Sequence, residues 1–458
     1  MITSCKKADS GPEVKYDGIV AVIGAGAAGL YAADILRAKG IKVIILEAGS
    51  EMGGRIKSLR NQPGIPSQSI ADFPVELGAE VIYGSDSILG TIIKNLNVNT
   101  VDLATAPDQF ILDNIAKSGN DWGSDSDFSS VQTFVSPGLS NFSGSGVSVE
   151  VAAGVTERAK ALLNSQVGNF YGSSSDMVGA QGLAEGLKAL KHDKKWLSMK
   201  GNPLQDLLLS RFSLVVPKVQ LNTIVKSIDY GSDPIKITDS GSNVIEANKV
   251  IVTVPLSVLK SEASDPAAIT FSPSLPGVMT SSFSNLGMDP SIRVVLDFKK
   301  NFWGTNSGFI WGGTAGPQYF NAGAGRSEFE NTLSITINGP KAGELSSKGP
   351  DMVIPILAEL DAIYSGQATK YIRRDLGTDQ ILSIILDWSK EVFIKGGYSY
   401  PLINGTMADR KNIGTAVGTN LFFAGEATDV SGDAGTINGA LVSAERVTEE
   451  VVKSILGT

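Results

Sequence analysis

The residues able to do chemistry in this chain are few, and three glycines with an acid behind them come first. Gly24, Gly26 and Gly29 follow an apolar run, and Glu47 closes a second one. In that spacing the first glycine permits a tight turn. The second lets a pyrophosphate approach the backbone, and the third packs a helix on a strand. Glu47, with Ala48 after it, stands where a carboxylate grips ribose hydroxyls and repels a 2′-phosphate. Arg55 follows Gly53-Gly54, and its guanidinium can reach a diphosphate as a two-pronged partner. Read alone, Arg55 is also a surface arginine after a flexible turn. Together these residues point to dinucleotide binding.

The residues that are missing narrow the chemistry further. The sequence has one histidine, His192, in the charged run KHDKK, where it reads as a solvated loop residue. It has one cysteine, Cys5. Neither a Ser–His triad nor a histidine-based metal site can be built from these, so the chemistry must come mainly from a bound cofactor. A net charge of −8 and a pI near 5.0 argue against a nucleic-acid partner and a basic membrane-surface patch. No apolar run approaches the roughly 18 to 20 residues of a transmembrane segment.

The elements that must position these residues are legible around them. Ile19 to Ile23 predicts a strand, the pattern to about Lys39 a helix, and Val43 to Leu46 a second strand. The helix then faces a diphosphate with its unpaired N–H groups. Leu421 to Ala424 predicts another strand, leading through Gly425-Glu426 and a glycine-rich loop into a helix near Thr436. IRVVLDF (Ile292–Phe298) and NTLSITING (Asn331–Gly339) alternate with period two and predict strands. Helical patterns run over 149–165 and 179–191, and the Ser/Gly-rich stretch from Ser136 to Val147 reads as loop.

Met52-Gly53-Gly54-Arg55, so soon after Glu47, resembles the FAD-binding start of the flavin amine oxidases. The resemblance returns in VELGAEVIYG (Val75–Gly84), VQLNTIVKSID (Val219–Asp229), VIVTVPLSVLK (Val250–Lys260) and LFFAGEATDVSGDAGTINGALVSAER (421–446). It implies FAD, held without a covalent bond because no cysteine lies near 421–446. It implies that Glu426, after Gly425, binds the ribityl chain. Thr436 and Ile437 would open a helix whose N–H groups face the flavin pyrimidine, where reduced flavin gathers negative charge. Gly78, Ala79 and Glu80 would pass under the flavin, and Val225 would meet the adenine side. The implied fold is α/β. A Rossmann-like FAD-binding domain is expected from 15–90, 212–283 and 390–458. A discontinuous second domain of mixed sheet and helices is expected from 91–211 and 284–389. A sheet from the later insert, backed by helices from the earlier one, would roof the flavin, with the substrate pocket between the domains.

Four residues carry the chemistry this resemblance implies. DWSKEVFIKGGYSYP (Asp387–Pro401) resembles the stretch whose aromatic residue walls an amine cage; it places Trp388 and Tyr398 near the flavin. In isolation, Tyr398 and Tyr400 read as core strand aromatics. Thr436 stands where the monoamine-oxidase branch has a second tyrosine, which leaves the cage half open; threonine also N-caps helices, and both roles can coexist. Arg293 stands where the family places a lysine that holds a water against flavin N5. Arginine stays protonated in a protein. It would order that water, grip a substrate carboxylate, or make an internal ion pair.

The implied activity is FAD-dependent oxidation of an amine by hydride transfer to flavin N5. The imine product hydrolyses, with O2 as acceptor and H2O2 as product. Two other readings stay open: a C–C dehydrogenase or desaturase on the same scaffold, and a degenerate FAD-binding protein without turnover. The partners are then a small amine and O2 or another electron acceptor. The oligomeric state is open.

Ile2-Thr3-Ser4-Cys5 fits a bacterial lipoprotein cleavage box, with residues 1–14 as a flexible tether behind a lipidated Cys5. The charged and apolar parts of a signal peptide do not precede Cys5. The expected location is extracytoplasmic and anchored if the true start lies upstream, and cytoplasmic otherwise.

Overall fold

The apolar runs around the first glycines form the strand, turn, helix and strand they predict. In the computed structural model, which describes residues 13–60, 70–71, 73–305, 307–326 and 331–458, these are β1 (Ile19–Ile23), α1 (Ala27–Ala38) and β2 (Lys42–Leu46). Cys5 and nearly all of the expected tether lie outside the described residues. β1 is central in a five-stranded parallel sheet ordered Val219–Gln220, β2, β1, Lys249–Val252, Leu421–Phe423. Three distant stretches of chain therefore share one sheet.

Both faces of that sheet are covered, which is why its strands are continuously apolar rather than alternating. On one face α1 and the C-terminal helix Ile437–Leu456 share a core that includes Leu30, Leu36, Ile45, Phe422 and Leu441. On the other face Ile23, Val252 and Phe423 pack against Ile228 and Ile237 of a four-stranded sheet. The parallel strands all end at the same edge, where a ligand crevice belongs in an open α/β sheet.

A second, seven-stranded sheet runs Ser383–Asp387, Ser291–Asp297, Thr332–Asn338, Gln318–Asn321, Phe309–Trp311, Gln109–Leu112, Ile115–Ser118. The later insert was expected to build this sheet alone. Instead a hairpin of the earlier insert extends it, pairing Ile310 with Gln109 and Trp311 with Phe110. The hairpin covers the edge that Phe309–Trp311 would otherwise expose. The alternating runs at 292–298 and 331–339 do form strands, but every residue of Ser291–Asp297 and Thr332–Asn338 is buried. Ile292, Val294 and Leu296 enter a core with the helix Val353–Ile363, while Val295 joins the core built with the earlier insert.

The pattern at 179–191 gives the helix Ala180–Ala189. The pattern at 149–165 does not give one helix: Val149–Ala153 stops at Gly154, whose φ of +58° is left-handed, and the chain continues in short turns. The fold is α/β, a Rossmann-like sheet joined to a body of mixed sheet and helices. Among the described residues, no helix is long and apolar enough to cross a membrane, and no cluster of His, Cys, Asp and Glu is placed to hold a metal.

Candidate active site

A cavity of about 840 Å³ opens where the parallel strands end, lined by Ile23, Leu46, Thr253 and Gly425 among others. Gly24 makes the turn after β1 with a φ of +107°. A Cβ on Gly29 would lie 2.0 Å from the Gly24 carbonyl oxygen, so only glycine lets α1 pack this closely. Gly26 differs. It N-caps α1 with no side-chain cap, and no described atom lies within 4 Å of where its Cβ would be. The α1 N–H groups therefore open onto the cavity across a space kept clear by a missing side chain, which fits a diphosphate. Gly54 lies against Gly26 on the other side of this gap, its Cβ position 3.6 Å from Gly26 Cα.

Glu47 sits at the end of β2 and is fixed by the turns around it. Its Oε2 accepts from Ala25 N–H at 2.7 Å and its Oε1 from Gly49 N–H at 2.8 Å. It lines the cavity with Ala48, Thr223 and Val225.

Arg55 turns toward the other end of the cavity. Its Nη1 donates to Glu426 Oε1 at 2.7 Å and to the Gly397 carbonyl at 3.0 Å. Glu426 is 4% exposed and also accepts from Ser399 N–H, Ser399 Oγ and Gly435 N–H. Buried Arg410 donates to Ser399 Oγ. Burial pushes the Glu426 carboxyl up, but Arg55 and Arg410 outweigh it and hold it below its ordinary range. Arg55, expected to reach a diphosphate, directs its Nη1 to the Glu426 carboxylate and the Gly397 carbonyl.

Tyr398 is seated between two glycines. Cβ atoms at Gly172 and Gly435 would each lie 3.1 Å from its ring. Its hydroxyl donates to the Phe170 carbonyl at 2.8 Å and accepts from Asn338 Nδ2 at 3.0 Å. Tyr398 and Tyr400 both line the cavity; Tyr400 is 1% exposed, joins a core cluster and donates to Asp289, while Tyr398 is only partly buried. Trp388 donates from Nε1 to the Leu77 carbonyl at 3.1 Å and packs on Gly78. Thr436 N-caps the C-terminal helix: its hydroxyl accepts from Gly439 N–H and donates to the Asp433 carbonyl. With Ile437 it brings that helix N-terminus to the cavity.

Facing Tyr398 is an aromatic group that sequence reasoning did not single out. Phe170 stacks on Trp196 at 5.4 Å, and Tyr83 stands edge-on to both. Tyr171 packs edge-on to Phe170. Burial raises the Tyr171 and Tyr398 hydroxyls to about 12, so both stay neutral. Tyr83 sits within VELGAEVIYG and carried a signal there. The others are gathered only by the fold.

Arg293 lines the same chamber and makes the internal ion pair. Nη1 donates to Glu80 Oε2 at 2.7 Å and Ser334 Oγ at 2.8 Å, and Nη2 to the Gly78 carbonyl at 2.8 Å. Ala79 continues the segment, donating from its N–H to the Arg55 carbonyl. His192 is not a solvated loop residue. Its ring lies over Gly84, Nε2 is 2.8 Å from Asp433 Oδ1, and it lines the cavity. The charged run hid this because Asp433 is remote in sequence.

Comparisons with known proteins follow this geometry. The profile of flavin containing amine oxidoreductases matches residues 203–452, and that of NAD(P)-binding Rossmann-like domains matches residues 22–92. The chain is 27% identical over 502 residues to Lysine-specific histone demethylase 1 homolog 3 of Arabidopsis thaliana, covering 94% of this chain and 30% of that protein. It is 24% identical over 473 residues to Lysine-specific histone demethylase 2 of Homo sapiens, covering 96% of this chain and 54% of that protein. It thus spans about half or less of the length of these two relatives. The solved structure of wild-type putrescine oxidase bound to putrescine superposes with a TM-score of 0.77 at 17% identity, over 95% of this chain and 99% of that one. That likeness shows the fold, and the amine-oxidoreductase profile covers more than half of the sequence, so this chain belongs to the flavin containing amine oxidoreductase family.

Proposed function

We propose that this protein oxidises the C–N bond of a small amine, using FAD held without a covalent bond and passing the electrons to O2. The observation that carries this reading is the single cavity that runs from the uncapped N-terminus of α1 to the aromatic chamber at Tyr398. The α1 N-terminus and Gly26 would take the diphosphate and Glu47 the ribose. Thr223 to Val225 would border the adenine. Glu426 would bind the ribityl chain beside Arg55. When bound, FAD supplies the hydride acceptor.

The chain's own residues then position and protect. The C-terminal helix presents its N-terminus, at Thr436 and Ile437, where negative charge gathers on reduction. Tyr398, Phe170, Tyr171 and Trp196 exclude water and align the amine carbon for transfer. In this reading residues 15–90, 212–283 and 390–458 form the cofactor part, and 91–211 with 284–389 form the substrate part.

The test is anaerobic addition of amino acids, polyamines including putrescine, methylated lysines and arylamines, read by flavin absorbance. Bleaching by an amine supports the proposal. Bleaching only by a polyene or porphyrinogen replaces it with C–C dehydrogenation, and an unbleached flavin across the panel overturns it.

A further inference from the structure

Behind the Glu80–Arg293 pair lies a second cavity of about 20 Å³, lined by Glu76, Glu80, Ser198 and Arg326 among apolar neighbours. Glu80 borders both this cavity and the aromatic chamber. Two polar groups here are incomplete. Ser198 is 4% exposed, and its Oγ has no hydrogen-bond partner among the described residues. Glu80 is 8% exposed and uses only Oε2, which accepts from Arg293 at 2.7 Å and Ser334 Oγ at 3.4 Å; no described group donates to Oε1. Glu76 completes the wall, accepting from Leu204 N–H and Ser58 Oγ. A space of this size admits one water, which needs two to four polar partners. Ser198 Oγ, Glu80 and Glu76 can supply them.

We propose that Glu80 accepts the proton of the substrate ammonium, and that one water in the small cavity passes it to Glu76. This rests on the amine-oxidation reading. An amine with an ordinary pKa near that of lysine, about 10.4, arrives protonated at neutral pH, yet its lone pair must be free for hydride to leave the adjacent carbon. Arg293 cannot take that proton, because a guanidinium already holds its own. In the step, one N–H bond breaks and one O–H bond forms on Glu80, leaving the electron pair on nitrogen. Glu80 then gives a proton to the water as the water gives one to Glu76. The water is restored, one proton has moved, and no electron is transferred.

The charged and titratable groups facing Glu80 are Arg293, Arg326, Glu76 and Tyr83. Burial raises the Glu80 carboxyl even against Arg293, and burial raises Glu76 to about 7. Burial thus favours the protonated form of both carboxyls.

Two measurements on the FAD-loaded protein test this, and the first needs no amine. Infrared titration from pH 5 to 9 should show protonated-carboxyl bands, one lost in Glu80→Gln and another in Glu76→Gln, and a high-resolution structure should show a water bonded to Ser198 Oγ. A dry cavity, or bands unchanged in both variants, overturns the relay whether or not any amine is oxidised. Second, with an amine that bleaches the flavin, Glu80→Gln should slow bleaching about a hundredfold at neutral pH and recover as pH rises toward the amine's own pKa. A wild-type rate–pH profile in that variant overturns the proposal. If Glu80→Gln does not fold, Ser198→Ala removes only the hydroxyl. Slower bleaching at unchanged KM then supports the relay, and an unchanged rate overturns it.

Discussion

Arg55 Nη1 lies 2.7 Å from Glu426 Oε1, joining residues 371 positions apart at one wall of the cavity. Breaking a buried ion pair from one side leaves an uncompensated charge, at a cost of about 3 to 5 kcal/mol. The cost here falls at the low end, because Glu426 keeps Ser399, Gly435 and nearby Arg410. Arg55→Ala should lower unfolding stability by about 3 kcal/mol and reduce flavin content. Denaturant melts with flavin released by acid check both. Flavin left on the acid-precipitated protein would contradict non-covalent binding. The Glu426 carboxyl is depressed on folding, so its contribution is complete above its ordinary 4.5 and is lost as pH falls through the folded value.

Gly26 and Gly29 should part company when each is changed to alanine. Gly26→Ala adds a methyl to clear space, so stability should move by less than about 1 kcal/mol while FAD affinity falls about tenfold or more. Gly29→Ala drives a Cβ into the Gly24 carbonyl and should destabilise by about 3 kcal/mol. Fluorescence titration with FAD and thermal melts separate the outcomes. Equal loss of stability in both would remove the case for a diphosphate at Gly26.

Tyr398→Ala should cut amine turnover at least about tenfold while leaving FAD content near wild type. Tyr398→Phe keeps the ring and loses the bonds to Phe170 and Asn338, so stability should fall by about 1 kcal/mol with little change in turnover. Loss of the cofactor in the alanine variant would show that the ring is core packing.

Arg293→Lys tests whether this guanidinium also grips a substrate carboxylate. Its bonds to Glu80, Ser334 and Gly78 already occupy much of the fork. The preference for an amino acid over its decarboxylated amine should therefore change by less than about threefold, with stability lowered by about 2 to 3 kcal/mol. A tenfold or larger loss of preference, read from anaerobic bleaching rates, would assign the carboxylate role.

His192 should make stability depend on pH. Burial favours its neutral form, but the Asp193 carbonyl and the Asp433 carboxylate outweigh this and raise its pKa on folding. Its stabilisation is complete below the ordinary value of 6.5 and is lost as pH rises through the folded value. The melting-temperature difference between pH 5.5 and pH 9 should shrink in His192→Gln. An equal difference in both proteins would show that the ring does not titrate in this range.

What was legible in the sequence was local. Gly24, Gly26 and Gly29 sit within one turn of chain, and the runs flanking them report β1, α1 and β2 directly. The C-terminal helix announced itself through Thr436 for the same reason. Illegible features depended on partners far along the chain. Glu80 and Arg293 are 213 positions apart, and His192 and Asp433 are 241. The alternation at 292–298 indicated a strand but could not say that its second face would also be covered. The helical pattern at 149–165 concealed the stop at Gly154, because one left-handed residue ends a helix without disturbing the apolar spacing around it.

The pairing of α1 with the C-terminal helix also sets an order of events in synthesis. Tyr31 donates to Glu445 across that contact, and Leu421–Phe423 supplies the last strand of the parallel sheet. A chain still emerging from the ribosome has the glycine turn early but lacks Glu426, Gly435 and the closing helix until Ile437–Leu456 has been made. Flavin capture then waits on a segment made long after the glycine turn. Fragments truncated anywhere before about residue 440 should accumulate colourless.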